Sequence, residues 1–396
     1  MTISILGARV IDPNSGLDQV TDLHLDGGRI AAIGAAPAGF SASRTIQADG
    51  LVAAPGLVDL GVSLREPGYS RKGNIASETR AAVAGGVTSL CCPPQTKPVL
   101  DTSAVAELIL DRAREAANSK VYPIGALTKG LEGEQLAELV ALRDTGCVAF
   151  GNGLKEIPNN RTLARALEYA ATFDLTVVFH SQDRDLAQGG LAHEGAMASF
   201  LGLPGIPETA ETVALARNLL LVEQTGVRAH FTQITSARGA RLIEQAQQLG
   251  LPVTADVALY QLILTDESLR EFSSLYHVQP PLRTAADRDG LRAAVKSGRD
   301  PGDLQPSPAT RARRQAGPVR RHRAGHQQCR TAVAAGHDPG AGRPARPANL
   351  AGPPEQRPGG GPAPAGRRAE SGRRGRPGAV RPASLDRGRR AVVLPR

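Results

Sequence analysis

The first fifty residues alternate apolar and polar positions with a period of two. SILGARVID (4–12), DLHLDGGRIAAIG (22–34) and RTIQADGLVAAPG (44–56) read as strands, with Gly27–Gly28 marking a turn. Further on, short apolar runs of strand length alternate with helical stretches. The runs are LVAAPGLVDL (51–60), VTSLCC (87–92), KVYPIGA (120–126), CVAFGN (147–152), LTVVFHS (175–181), VRAHFTQI (227–234) and PVTADVA (252–258). Between them lie segments of helical period, such as 103–119 and 236–250, and the last helix ends near Ser297. Nearly continuous apolar strands suit a parallel sheet covered by helices. Seven β/α repeats predict an α/β fold, a (β/α)8 TIM-type barrel one strand short, preceded by a small β-sandwich built from the N-terminal strands. No GxGxxG follows a strand and no GxxxxGK[ST] occurs, which sets the nucleotide-binding α/β folds aside.

Composition divides the chain in two. Of its 396 residues, 299–396 hold 21 Arg, no Lys and 6 acidic residues, a charge of +15, whereas 1–298 carry −6. The tail has no Phe, Tyr, Trp, Ile or Met, and it holds 15 of the 29 Pro and 15 of the 44 Gly. Such a segment cannot bury enough apolar surface to offset its ordering entropy, so it is expected to be disordered. Arginine-rich arms that bind nucleic acid usually add Lys or stacking aromatics, and this one has neither. Arg, Pro, Ala and Gly without Lys, Ile or Phe is what GC-rich DNA yields out of frame. The expectation is a frameshift product with no nucleic-acid partner, and salt-dependent DNA binding by the tail is the rival reading. Three regions follow: 1–53, the N-terminal β-sandwich part; 54–298, a barrel without its eighth strand; and 299–396, the low-complexity tail. Strands one and seven would then be open edges. No apolar run is long enough to span a membrane, and the N-terminus lacks a signal-peptide pattern. Four cysteines, two of them adjacent, form neither a disulfide framework nor a zinc knuckle. A soluble cytoplasmic protein without a membrane partner is expected.

At the end of the first barrel strand stands Val58-Asp59-Leu60-Gly61-Val62-Ser63-Leu64-Arg65-Glu66-Pro67-Gly68. It resembles the dihydroorotase branch of the amidohydrolase superfamily, whose pattern there is D-x-H-x-H-L-R-x-P-G. The resemblance continues through ETRAAVAGGVTSL (78–90), CCPPQTKP (91–98), HSQD (180–183), EGAMASFLGLPGIPETAE (194–211), HFTQITSARG (230–239), VTADVALYQLILTDE (253–267) and YHVQPPLR (276–283). It covers nearly all of residues 1–298, and it implies a sandwich that also takes C-terminal strands, a half that would be missing here.

The departures fall on the chemistry. The two strand-1 histidines that bind the divalent metal in the family correspond to Gly61 and Ser63. The strand-4 ligand, a carboxylated lysine or an aspartate, falls on Gly151-Asn152-Gly153, with Lys155 nearby but out of register. His180 keeps the strand-5 position, while Gln233 replaces the strand-6 histidine; His230 takes the first, non-ligand place of the H-x-x-H pattern. A catalytic zinc takes three protein ligands plus water, and without it nothing lowers the pKa of water toward neutrality. No metal, no cofactor and no catalytic residue are expected. His180 is then a hydrogen-bonded strand-end histidine, with stray metal binding as its alternative.

The resemblance also implies vestigial substrate-binding positions. Arg65 matches the residue that grips the substrate carboxylate, or else forms an ion pair with Glu66 or Asp59. Gln95 and Gln279 stand for two asparagines, each one methylene longer, enough to spoil a pre-organised site. The strand-8 aspartate should follow Lys296. Reading Asp300–Thr310 one base forward permits I-Q-A-I-S-S-H-H-Q-P-H, which fits a strand-8 segment. The codon aligned with the aspartate spans Pro306 and Ser307 and begins with C, whereas aspartate codons begin with G, so the general base is absent in either frame. A kept scaffold with lost chemistry is similar to the inactive dihydroorotase-like chains of pseudomonad aspartate carbamoyltransferase. That likeness implies a non-catalytic subunit in pyrimidine biosynthesis. It would support assembly and activity of the aspartate carbamoyltransferase catalytic chains in a hetero-oligomer, a dodecamer of six plus six. An active metal-dependent cyclic amidohydrolase, rebuilt around His180, Lys155 and Arg65, is the rival expectation.

Overall fold

One long strand organises the N-terminal region. In this computed structural model, which describes residues 1–297 and the backbone of 304–307 and 391–395, β1 (Thr2–Asp12) pairs antiparallel with β2 (Leu17–Asp26), and β2 with β3 (Arg29–Ile33). On its other side β1 takes β4 (Arg44–Gln47) along Ile3–Leu6 and then β5 (Leu51–Pro55) along Arg9–Val10, both parallel. The hand-over falls at a register shift between Ile5 and Ala8. Gly7 sits there at φ +70, a conformation open to glycine, and donates its N–H to Asp22 Oδ1 at 2.9 Å. Ile5, Ala8, Val10, Leu23, Ala48 and Ala53 form a core belonging to this sheet.

The run 51–60, which reads as one strand, is two. β5 stays in the first sheet, and β6 (Leu57–Asp59) opens the barrel. Between them Gly56 passes so close to the next strand that a Cβ would lie 2.1 Å from Thr88 Oγ1. The border therefore lies at Gly56, a little beyond the expected residue 53.

The barrel continues through α1 (Ile75–Ala84), β7 (Val87–Cys92), α2 (Ser103–Ala116), β8 (Lys120–Ala126), α3 (Leu139–Thr145), β9 (Ala149–Gly151), α4 (Asn160–Thr172) and β10 (Thr176–His180). An excursion of β11 (Ala192–His193), α5 (Ala196–Leu201) and β12 (Gly205–Ile206) precedes α6 (Thr209–Thr225). Then come β13 (Arg228–Thr232), α7 (Ala237–Gln248), β14 (Val253–Ala258), α8 (Ala285–Ser297) and β15 (Leu304–Ser307). The sheet order is β6-β7-β8-β9-β10-β13-β14-β15, every pair parallel. Short polar side chains start the helices. Asn74 and Ser77 form a reciprocal capping box at α1, Asn159 caps α4, and Ser236 accepts the Gly239 N–H at α7. Between sheet and helices, Phe179 and Phe231 stack with centroids 5.2 Å apart. No helix among the described residues is long and apolar enough to cross a membrane.

Two expectations need correction. β14 is not an open edge, because Leu304–Ser307 pairs with Ala255–Ala258 as an eighth strand. β16 (Ala391–Pro395) pairs antiparallel with β5, adding a C-terminal strand to the first sheet. Strand pairing uses backbone N–H and C=O groups that any sequence carries, so an exposed edge accepts what reaches it. Pro306, which has no N–H, lies in the outermost strand, where a proline is tolerated. No pairing joins β6 to β15 among the described residues. The expected disorder and frameshift of the rest of 299–396 lie outside the described residues.

Phe231 is fully buried. Phe231→Ala should lower the unfolding free energy by about 3–5 kcal/mol, read as a lower urea midpoint at unchanged slope.

Candidate functional site

The C-terminal ends of the parallel strands deliver the residues that the sequence singles out. A cavity of about 70 Å3 at this mouth is lined by Gly61, Ser63, Gln95, Gly153, His180, Gln233 and Gln279, among others. Positions spread over more than two hundred residues of sequence thus meet in one place. Arg65, Asn152, Lys155 and His230 do not line it.

Each of these four is placed by its own contacts. Arg65 lies on the loop after β6 at φ +67, and its carbonyl accepts the Tyr69 N–H at 2.7 Å. Of its two expected acidic partners, Glu66 accepts the Ile75 N–H at 3.0 Å, and Asp59 accepts the Gly61 N–H at 3.0 Å. Asn152 is buried and turned toward the loop after β8: its Oδ1 accepts from Thr128 Oγ1 at 2.7 Å, and its Nδ2 points at Leu131 O. Lys155 is exposed and lines a smaller cavity of about 20 Å3, shared with Asn152, His180 and the paired Glu156 and Arg217. His230 is held inside the barrel, with Nδ1 2.9 Å from Thr254 Oγ1 and Nε2 3.1 Å from Asp256 Oδ2.

Asp256 was not singled out from the sequence, yet it shapes the mouth. Only 1% exposed, it also accepts from Thr232 Oγ1 and, at 2.7 Å, from the Gln233 N–H. That bond anchors Gln233, a non-glycine residue at φ +60, where the chain leaves β13.

The side chains present do not fit the metal that the resemblance implies. Gly61 offers no donor atom, and Ser63 and Gln233 offer neutral oxygens, poor ligands for zinc. His180 is the one imidazole at the positions where the resemblance places ligands. Burial pushes the thiols of Cys91, Cys92 and Cys147 up to about 12, so they are not thiolates at neutral pH. Among the described residues no group of three His, Cys, Asp or Glu is arranged to hold a metal ion.

A second polar cluster, also missed from the sequence, braces the loops around the mouth. The buried Glu211 carboxylate, in the first turn of α6, accepts four hydrogen bonds, from the backbone N–H and hydroxyl of both Thr235 and Ser236. Buried Arg283 donates to Thr235 Oγ1 at 2.9 Å, to Ile206 O at 3.2 Å and to His193 Nδ1 at 3.0 Å. The segments that supply these residues were visible as matched stretches, but a buried ion network has no periodic signature.

Burial first, and then the neighbouring Arg283 charge, hold His193 below its usual value of 6.5. The unfolded chain therefore binds the extra proton more readily than the folded one. Stability from this group is complete above about pH 6.5 and falls as the pH drops below it, at no more than about 1.4 kcal/mol per pH unit. Urea unfolding at a series of pH values between 7.5 and 5 should show that decline. Glu211→Ala should cost more than about 3 kcal/mol, because four buried donors lose their acceptor.

With this geometry in hand, the likenesses to known proteins are informative. Residues 50–238 match the dihydro-orotase-like family. The chain is 94% identical over 298 residues to a dihydroorotase-like protein of Pseudomonas putida, a span of 75% of this chain and 70% of that protein. A dihydroorotase-like protein of Pseudomonas aeruginosa is 78% identical over the same shares, and a dihydroorotase of Trichlorobacter lovleyi 39%. The L-hydantoinase (dihydropyrimidinase) of Arthrobacter aurescens superposes with a TM-score of 0.71 at 22% identity, over 84% of this chain and 75% of that one. This last likeness carries the barrel fold alone. The sequence identities carry more: the chain belongs to the dihydroorotase-like family.

Proposed function

We propose that this chain is a non-catalytic dihydroorotase-like subunit of pyrimidine biosynthesis that supports assembly of aspartate carbamoyltransferase catalytic chains. One observation carries the reading. Gly61, Ser63 and Gln233 line the barrel mouth at the family's ligand positions, leaving His180 as the one imidazole there. Metal-activated hydrolysis needs a bound water with a lowered pKa, and this mouth has no ligand set to supply one.

The state of the scaffold favours a role that uses the surface of the barrel. Capped helices, a dense core and the Glu211–Arg283 cluster stand beside a mouth with one imidazole. A chain under no demand to fold would lose these scaffold features. The identity of the partner rests on the likeness to pseudomonad dihydroorotase-like chains. The frameshift reading belongs to the same proposal: the matched span in both Pseudomonas relatives is 298 residues, the length that precedes the arginine-rich composition.

Isolation of the native assembly from its source cells, with intact masses of every subunit, tests this reading. The expected result is an aspartate carbamoyltransferase chain in equal amount, and a mass for this chain different from that of the 396-residue sequence. The assembly should show no zinc-dependent turnover of dihydroorotate. Chelator-sensitive turnover of dihydroorotate or a hydantoin by this chain would overturn the non-catalytic reading; a native chain of the 396-residue mass without a partner would overturn the assembly role.

A further inference from the structure

We infer that the strand-4 side of the former metal centre is closed by the backbone at Gly151 and occupied by the Gln95 amide at Gly153, so that a ligand side chain cannot be restored on that side without moving its neighbours. This rests on the reading above, but where that reading concerns which side chains are present, this one concerns space.

Gly151 is the last residue of β9 and pairs with Val178 of β10. A Cβ built on it would lie 2.6 Å from the Val178 carbonyl oxygen, closer than real Cβ contacts come. The obstructing atom belongs to the backbone of a central strand and cannot rotate away. Any side chain at 151 therefore requires β9 and β10 to move apart, at the expense of the ladder between them.

Gly153, two residues on, meets a different obstacle. At φ +62, its Cβ would lie 2.2 Å from the amide carbon and nitrogen of Gln95. The Gln95 Oε1 atom is buried and has no hydrogen-bond partner among the described residues. The amide is the far end of a flexible side chain, and it has to leave the gap before a side chain at 153 can enter. Asn152, between the two glycines, points away to Thr128. Three consecutive positions thus present no ligand to the cavity, the first because of the sheet and the third because of one glutamine.

A double-mutant cycle tests the obstruction by Gln95. Gly153→Ala should lower the thermal midpoint by several degrees, and Gln95→Ala should recover at least half of that loss, the remainder reflecting the positive φ. An equal loss in both backgrounds would overturn the role of Gln95.

The closure at Gly151 is tested in a chain carrying Gly61→His, Ser63→His and Gln233→His beside native His180, with cobalt(II) as the probe. Adding Gly151→Asp should lower the midpoint by more than about 5 °C and leave cobalt affinity and visible absorption unchanged. A midpoint kept within a degree, with cobalt bound at least tenfold more tightly, would overturn it. Because Gly151→Asp can abolish folding, Gly151→Ala is measured alone in the unaltered chain, where an unchanged midpoint is likewise fatal to the inference. Hydrolytic turnover by the unaltered chain would end the non-catalytic reading and leave these comparisons standing.

Discussion

A buried carboxylate holds the mouth of this barrel together. Glu211 is 3% exposed, and its carboxylate accepts four hydrogen bonds from the turn between β13 and α7. Stripping a carboxylate of water is costly, so such a group persists where donors surround it. Arg283 extends the cluster to the β11–β12 excursion through His193 and Ile206. It lies four residues after Gln279, so the same cluster positions the segment that brings Gln279 to the cavity.

Three glutamines, Ser63, Thr232 and His180 supply the polar side chains of the mouth. Contacts among the side chains present fix the strand ends at this mouth. Asp256 does so for β13 and β14, drawing in His230, Thr232 and Gln233. Close packing does so for β9, whose glycines let it approach β10 and Gln95.

Much of the fold was legible because its signal is local. Val87–Cys92 and Lys120–Ala126 are strands over the spans their apolar runs predict, and the helix expected from 103 to 119 ends at Ala116. The convergence of Gly61, Ser63, Gln95, His180, Gln233 and Gln279 was legible too, through the family pattern, since a barrel gathers its strand ends at one face. The rest was not. LVAAPGLVDL has the apolar pattern of one strand, and its division depends on Thr88 pressing against Gly56 from thirty-two residues away. The pairings of Leu304–Ser307 and Ala391–Pro395 depend on free edges of β14 and β5, which no composition records.

Sequence alone determined the alternation of strands and helices, the charge division at residue 298 and the donor-poor residue types at Gly61, Ser63 and Gln233. These are properties of residue type and near-neighbour spacing, and they hold wherever the chain goes. Tertiary structure decided that Asn152 faces Thr128, that His230 serves Asp256, that Glu211 and Arg283 join one cluster, and that Gly151 leaves no room for a side chain. Each of these depends on the distance between atoms far apart in sequence, and that distance exists only once the strands have packed.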